Sequence, residues 1–165
     1  MTDKQDDFRS FAVGAGPRLL RLARLLTGNW TDAQDLVQST LLRCFTAWAR
    51  IRAAENPEAY ACRVLIRLHV AGMRRVGHRR EQLVATPPER PAPYTPFEQV
   101  EARTALEVAL RSLPPRQRAV IVLRYYCDLS VTDIATTLGC STGTVKSQAA
   151  KAMRTLRAGW PAGIL

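Results

Sequence analysis

Apolar residues recur every three or four positions along most of the chain, which is the spacing of amphipathic helices. The segment Pro17–Thr27 follows this pattern, and Gly28 is placed to end its helix. No segment alternates between apolar and polar residues for long enough to predict a sheet. Even Val120–Leu123, the one β-like run, lies in a helical frame. The chain is therefore predicted to be all-α.

Capping residues predict where two further helices begin. Thr31 with Gln34 three positions later is a capping box, and Asn56 before Pro57 is an N-cap with proline at the first helical position. The first of these helices is expected to bury Val37, Leu41, Cys44 or Phe45, and Trp48. The second is expected to bury Tyr60, Val64, Leu68 and Ala71.

The C-terminal part of the chain is predicted to be helical as well. A stripe formed by Ala102, Leu106 and Ala109 stops at Pro114, because proline does not continue a helix. Another helix is expected from Pro115 to about residue 126.

Prolines cluster between the two helical parts. Five of the ten prolines lie in residues 79–97, and proline lacks a backbone N–H and restricts the residue before it. This segment is predicted to be an extended linker. It divides the chain into predicted domains at residues 1–78 and 98–165, two small helical domains in all.

Both predicted domains are basic. The 165 residues include 24 lysines and arginines against 14 aspartates and glutamates, which gives a net charge of +10. Residues 1–78 carry +5 and residues 98–165 carry +4. Such an excess predicts a polyanionic partner, nucleic acid before an anionic membrane. Two basic domains joined by a linker are predicted to bind one long polyanion at two places.

Several classes of protein have no support in the sequence. The four cysteines lack CxxC spacing and only two histidines accompany them, so no metal site is predicted and the thiols are expected to be reduced. No catalytic motif is present, so no enzyme, cofactor or small-molecule substrate is predicted. No apolar run reaches 18 residues and the N-terminus is polar and acidic. A cytoplasmic protein with neither membrane span nor signal peptide is therefore expected.

The segment Leu129–Gln148 has the pattern of a helix-turn-helix. Ser130 caps a short helix, and Gly139 supplies the positive φ that turns the chain. Ser141 caps a second helix, from which Val145 returns to the core.

The second helix of this motif carries hydrogen-bond donors and cations on its polar faces. Such side chains suit the base edges and phosphates of a DNA major groove. They are Thr142, Thr144, Lys146, Ser147, Gln148, Lys151, Arg154 and Arg157. Turn chemistry, cations and net charge together predict DNA binding. The alternative is a helical hairpin whose basic face is only solvated.

Three segments resemble a known family. Leu129–Leu156, with Gly143–Ser147 at its centre, resembles region 4 of the extracytoplasmic-function (ECF) sigma factors of the sigma-70 family. Leu25–Gln38 and Glu55–Tyr60, the latter leading into an Arg-Val-Leu sequence, resemble region 2. The likeness covers nearly the whole chain in the right order, and is greatest to the SigE-like actinobacterial subgroup.

The resemblance implies a sigma factor that binds core RNA polymerase and directs it to promoters for transcription initiation. Region 2 would dock on the clamp coiled coil of the β′ subunit through the helix Asp32–Trp48, with Asp35, Gln38 and Leu42 as contacts. Region 4 would bind the β flap, and the linker would run toward the RNA exit path. An anti-sigma factor is a further partner of many relatives. Without the resemblance, this helix is an ordinary amphipathic core helix.

The resemblance also implies that the helix after Tyr60 melts and reads the −10 element. Phosphate contacts need cations along one path, and melting needs a pocket for an extruded base. The residues implied are Arg63, Arg67, His69, Arg74 and Arg75. Many members carry Asn where this chain has Arg67, so the captured base is not predicted. A solvated basic face is the alternative.

Region 4 would read the −35 element as duplex. Ser147, Ala150 and Lys151 would face bases together with Arg124, which lies ahead of the motif. Lys146 and Gln148 would touch the DNA backbone, and Thr142, Thr144 and Arg154 complete the implied contact set.

A free-standing helix-turn-helix regulator is the alternative to a sigma factor. It would need a dimer interface or a ligand pocket in residues 1–78, and the sequence shows neither. Binding to core polymerase separates the two hypotheses.

Overall fold

A computed structural model describes residues 2–82 and 105–159. These residues form α-helices and one π-helical segment, and no strand occurs among them, which confirms the all-α prediction. In chain order the elements are α1 (Thr2–Thr27), α2 (Trp30–Thr46), α3 (Trp48–Ile51), α4 (Pro57–Gln82), α5 (Ala105–Arg111), α6 (Pro115–Ile121), the π segment (Val122–Tyr126), α7 (Val131–Leu138) and α8 (Thr142–Gly159).

Helices α1, α2 and α4 pack together around the first part of the core. Helix α1 begins well before the start predicted at Pro17, which lies inside it. Phe8 and Phe11 explain the difference, because their rings lie 5.3 Å and 4.8 Å from the ring of the buried Trp48. This aromatic packing, which local sequence does not reveal, holds the polar N-terminal turns in the helix. Gly28 follows the end of α1, as predicted, and has a φ of 77°.

The start and end of α2 differ from the prediction. Its N-cap is Asn29, whose Oδ1 accepts a hydrogen bond from the backbone N–H of Asp32 at 2.8 Å, so Thr31 is already inside the helix. The helix predicted for Asp32–Trp48 is in fact two helices, because Ala47 separates α2 from α3. Trp48 Nε1 donates to Asp7 Oδ2 at 3.0 Å, which ties α3 to α1.

Helix α4 begins at Pro57 as predicted, and Asn56 Oδ1 accepts from the N–H of Ala59 at 2.9 Å. The predicted stripe is off by about one position. The buried residues are Ala61, Leu65, Ile66 and Val70, whereas Tyr60, Val64 and Leu68 are half-buried and Ala71 is exposed. Both α1 and α2 contact α4, so the buried arc is turned toward the groove between them.

Helix α4 continues to Gln82, past residue 78, where the linker is predicted to begin. Residues 83–97 of that linker, and Ala102 of the stripe after it, lie outside the described residues. The domain boundaries remain a prediction.

Helices α5 to α8 form the second part of the core, around Leu110, Leu123, Ile134 and Val145. Leu106, predicted to be in the apolar stripe of α5, is 47% exposed, because α5 is only two turns long and buries Leu110 instead. The helix predicted from Pro115 is confirmed as α6 followed by the π segment. The two parts also touch, since α1 packs on α6 and α4 packs on α7.

Candidate nucleic-acid interface

The turn between α7 and α8 has the geometry of a helix-turn-helix. Gly139 ends α7 in the left-handed region at φ 65° and ψ 44°, where glycine has no Cβ penalty. The N–H of Cys140 then donates to the carbonyl of Ala135 at 3.0 Å. Ala135 is buried where the two helices approach, and Val145 of α8 is 2% exposed. These contacts fix the direction in which α8 leaves the turn.

Ser141 caps α8, as predicted. Its Oγ accepts from the N–H of Thr144 at 3.1 Å, and the hydroxyls of these two residues lie 2.9 Å apart. Helix α8 turns Val145 and Ala152 inward. The opposite face is polar and exposed, with Thr142, Thr144, Lys146, Ser147, Ala150, Lys151, Arg154 and Arg157. Gln148 is half-buried and faces a cleft between α8 and the first part of the molecule.

The π segment carries three exposed side chains, of which the sequence predicted Arg124 as a functional residue but not the two tyrosines that follow it. Arg124 is exposed, and its Nη1 donates to the carbonyl of Leu129 at 3.1 Å, which holds it beside the start of α7. Tyr125 and Tyr126 are 66% and 40% exposed. A tyrosine pair one residue after the apolar run Val120–Leu123 was the available signal, since a π segment turns such residues out of the helical register.

Four of the predicted −10 residues lie together on the surface of α4. Arg63, Arg67, Arg74 and Arg75 are exposed. At the start of this surface lies Tyr60, which sequence reasoning placed in the core. Its hydroxyl accepts a hydrogen bond from Nη2 of Arg50 at 2.8 Å, and the Arg63 guanidinium lies 5.8 Å from its ring centre. An aromatic ring between two guanidinium groups is suited to stacking on an unpaired base.

His69 does not lie on that exposed surface. It is half-buried, and its Nε2 is buried without a hydrogen-bond partner in the described part of the chain. Burial and the nearby Arg118 lower the pKa of His69 to about 4, although the carboxylate of Asp32 opposes the shift. The imidazole is therefore neutral at pH 7 and supplies no cation for a phosphate.

The three predicted polymerase contacts share one outward face of α2. Asp35, Gln38 and Leu42 are exposed at spacings of three and four residues, which places them side by side on a helix. Leu42 is 66% exposed, a large apolar side chain without cover among the described residues. The other face of α2 buries Ala33 and Cys44.

Comparison with known proteins assigns both halves of the chain to the same family. A model of Sigma-70 region 2 matches residues 4–79, and one of Sigma-70 region 4 matches residues 103–156. The RNA polymerase sigma-E factor of Streptomyces coelicolor is 36% identical over 155 residues, which cover 92% of this chain and 84% of that protein. This chain belongs to the sigma-70 family of RNA polymerase sigma factors.

Further comparisons place this sigma factor in the ECF group. The ECF RNA polymerase sigma factor SigL of Mycobacterium tuberculosis is 36% identical over 142 residues, which cover 84% of this chain and 80% of that protein. The solved sigma factor RpoE of Bartonella quintana is 25% identical with a TM-score of 0.58, covering 92% of this chain and 95% of that one. The resemblance stated from the sequence is thereby confirmed.

Three thiols of this sigma factor have a raised pKa and are therefore protonated at neutral pH. Burial raises the pKa of Cys44 and Cys62, and burial together with nearby Cys62 raises that of Cys127 to about 11. Within residues 2–82 and 105–159, no group of three metal-binding side chains occurs. None of the helices described there has an apolar stretch long enough to cross a bilayer.

Proposed function

We propose that this ECF sigma factor binds core polymerase through the exposed face of α2 and reads promoters through α4 and α8. The observation that carries the proposal is the exposed donor and cation face of α8, held by the Gly139 turn in a chain whose two halves both match sigma-70 regions. Transcription initiation is then its role, without a reaction catalysed by its own side chains.

The −35 element is read by α8 in the major groove. Ser147, Ala150 and Lys151 are exposed on one stretch of the helix and face the bases. The methyl group of Ala150 suits a thymine methyl. Lys146 and Arg154 contact phosphates, which set the register of the helix without carrying sequence information.

The −10 element is melted and read along α4. Arg63, Arg67, Arg74 and Arg75 supply a path of cations for the phosphates of the separated strands. Tyr60, with Arg50 hydrogen-bonded to its hydroxyl, offers a stacking surface at one end of that path. Arg67 contacts phosphate or stacks on a base.

Polymerase engages Asp35, Gln38 and Leu42 with the clamp coiled coil of β′. An acidic and an amide side chain beside an exposed leucine suit a partner helix that combines cations with apolar residues. The second half binds the β flap, so both promoter-reading helices are held at a fixed separation. The setting of this activity is the cytoplasm, where polymerase acts.

An anti-sigma factor is a further proposed partner. The Bartonella quintana RpoE structure contains the anti-sigma factor NepR, and this chain covers 95% of that sigma factor at 25% identity. Such a protein would compete with polymerase for the exposed face of α2 that includes Leu42.

In-vitro transcription tests the proposal. Purified bacterial core polymerase is incubated with a fragmented genomic template, with and without this protein, and transcript starts are mapped. We expect new discrete starts that share upstream −35 and −10 sequences. An Asp35→Ala, Leu42→Ala double variant should lose them, while the control Gln34→Ala, Arg43→Ala, also exposed on α2, should keep them. No new starts, with duplex binding retained by the chain alone, would indicate a free-standing regulator instead.

A further inference from the structure

A cavity of about 850 Å³ lies between the first half of the sigma factor (α1 to α4) and the second half (α5 to α8). That volume is typical of a pocket for a small organic molecule. Apolar side chains of both halves line it, among them Leu36 of α2, Leu68 and Met73 of α4, and Pro114 directly before α6. The cavity therefore offers apolar surface on several sides of a ligand.

A buried arginine without a counter-ion forms part of the cavity wall. Arg118 of α6 is 9% exposed, and a guanidinium carries five N–H groups. In the described part of the chain this side chain makes one hydrogen bond, from Nη2 to the carbonyl of Leu113 at 3.1 Å. No carboxylate of residues 2–82 and 105–159 forms an ion pair with it. A buried charge is unfavourable unless it is paired, so Arg118 is suited to bind an anion.

The other charged groups nearby leave Arg118 without neutralisation. Burial and the positive charge of Arg111 both lower its pKa. A Cβ on Gly28 would overlap Nη1, so this nitrogen lies at the C-terminus of α1, where the helix dipole supplies only about half a negative charge. Asp32 and Asp35 border the cavity as well, but they are exposed residues of α2. The α6 side of the cavity therefore favours the anionic group of a ligand.

Three polar atoms at this cavity have no partner. His69 Nε2, Gln117 Oε1 and Arg118 Nε are buried without a hydrogen bond in the described part of the chain, and all three side chains line the cavity. Buried polar atoms are nearly always hydrogen-bonded, so three such atoms at one cavity indicate a place for a hydrogen-bonding ligand. Each atom reaches a ligand after a rotation of its side chain, for which the adjacent cavity leaves room.

We propose that this cavity binds a small amphipathic carboxylate. The carboxylate forms a charge-assisted pair with the guanidinium of Arg118. The amide of Gln117 and the imidazole of His69 each have a hydrogen-bonding atom for a polar group beside that carboxylate. The apolar part of the ligand lies on Leu68 and Met73 and is removed from water.

Occupation of the cavity has a consequence for transcription. Asp35 and Gln148 also border the cavity, and they are the side chains assigned to polymerase and to the −35 duplex. A bound carboxylate should therefore lower initiation. This consequence rests on the proposed function, whereas the binding site itself does not.

Octanoate is the probe, and octanol and octylamine are neutral and cationic molecules with the same chain. Each is titrated as a monomer into the full chain at constant ionic strength. Two-dimensional nitrogen–proton NMR follows the backbone amides and the arginine Nε–H signals, and circular dichroism checks the fold of every variant.

The first variant fills the cavity. Gly72 of α4 borders it, and no atom lies within 4 Å of a Cβ built there. Gly72→Leu therefore occupies the space, and leucine is a better helix former than glycine. Gly14→Leu is the matched control, because Gly14 is helical, exposed, equally open around its Cβ and outside the cavity wall.

The second variant removes the buried cation. Arg118→Met leaves the cavity apolar on the α6 side. Arg111→Met makes the same change of net charge at a nearby arginine that does not line the cavity.

We expect wild type to bind octanoate saturably, about tenfold more tightly than octanol or octylamine, with a shift of the Arg118 Nε–H signal. Gly72→Leu should weaken octanoate binding by about tenfold or more, and Gly14→Leu should not. Arg118→Met should remove the preference over octanol, which Arg111→Met should keep. Equal affinities for octanoate and octanol, equal affinities of Gly72→Leu and Gly14→Leu, or no saturation would overturn the site.

In-vitro transcription separates the binding site from the proposed function. Octanoate should reduce the promoter starts made with wild type or Gly14→Leu and leave those made with Gly72→Leu unchanged. No starts from any of the three proteins without octanoate would contradict the proposed function, while the titrations still decide the binding site. Starts that persist at saturating octanoate would contradict the effect on initiation.

Discussion

Burial and the nearby Arg118 disfavour the protonated form of His69 and so lower its pKa, whereas the carboxylate of Asp32 favours that form. Its pKa of about 4 lies below the 6.5 of an unfolded histidine, so the unfolded chain takes up a proton first as the pH falls. The stability of the neutral form is fully present above pH 6.5 and is lost between there and pH 4. At 1.36 kcal/mol per unit, the loss reaches about 3 kcal/mol.

His69→Gln should therefore flatten the fall in the free energy of unfolding between pH 6.5 and 4. Urea denaturation at fixed ionic strength, repeated at half-unit pH steps, measures it. Equal slopes for wild type and His69→Gln would show that this imidazole is protonated as readily in the fold as in water.

Two exposed lysines of α8 are expected to differ in what they recognise. Lys151 faces the bases in the proposed orientation. Lys151→Ala should therefore reduce the free-energy difference between the preferred base and the other bases at one −35 position by about 1–3 kcal/mol. Lys146→Ala should weaken binding to all sequences and reduce the salt slope by about 1. Transcription by reconstituted holoenzyme from templates randomised at the −35 element measures both. If the two variants act alike across sequences and salts, the orientation of α8 is wrong.

At the scale of elements, the caps of the helix-turn-helix account for its local order. Ser130 Oγ accepts from the N–H of Asp133 at 3.0 Å and donates to Asp133 Oδ2 at 2.6 Å. Ser130→Ala removes both bonds and should lower the free energy of unfolding by about 1 kcal/mol. Thr132→Ala, at an exposed position in the same first turn, should change it by less than about 0.5 kcal/mol. Equal effects in urea denaturation would show that the cap contributes nothing specific.

The elements that sequence predicted best are those whose signals are local. The turn between α7 and α8 was predictable residue by residue, because the Ser141 cap and the left-handed Gly139 depend only on their neighbours. The α8 surface followed from the same register. The start of α1 was not predictable, since Phe8 is held in a helix by Trp48, far along the chain.

The candidate site divides in the same way. Exposure of Arg63 on α4 and Leu42 on α2 followed from helical spacing. His69 lies four positions after the buried Leu65 and three after the buried Ile66, so the same spacing places it on the inner side of α4, away from the exposed arginines. Tyr60 lies at the edge of the surface, where the approach of Arg50 rather than the stripe decides its place. Contacts between distant segments carry no periodic signal.

At the scale of the whole molecule, the positive net charge of both halves determines how the affinity for DNA depends on salt. Four cations of α8, Lys146, Lys151, Arg154 and Arg157, are exposed. With Lys151 on the bases, the other three cations would contact phosphates, which gives a slope of log affinity against log salt of about −3, and thus a loss of about fortyfold between 50 and 200 mM salt. A single half therefore binds weakly near physiological salt, and strong binding requires that both halves be held on one promoter.

Weak binding by each half predicts that the chain alone opens no promoter, although it carries both of the proposed promoter-reading helices. Core polymerase holds the halves at a fixed separation, which makes the second DNA contact intramolecular and raises its effective concentration to the millimolar range. Permanganate footprinting at 150 mM salt should show reactive thymines around the −10 element with core polymerase and this protein together. Neither component alone should give them, and Asp35→Ala with Leu42→Ala should abolish them even with polymerase present. Reactive thymines with the chain alone would mean that the cations of α4 separate the strands without a fixed partner, against the weak binding that screening imposes on each half.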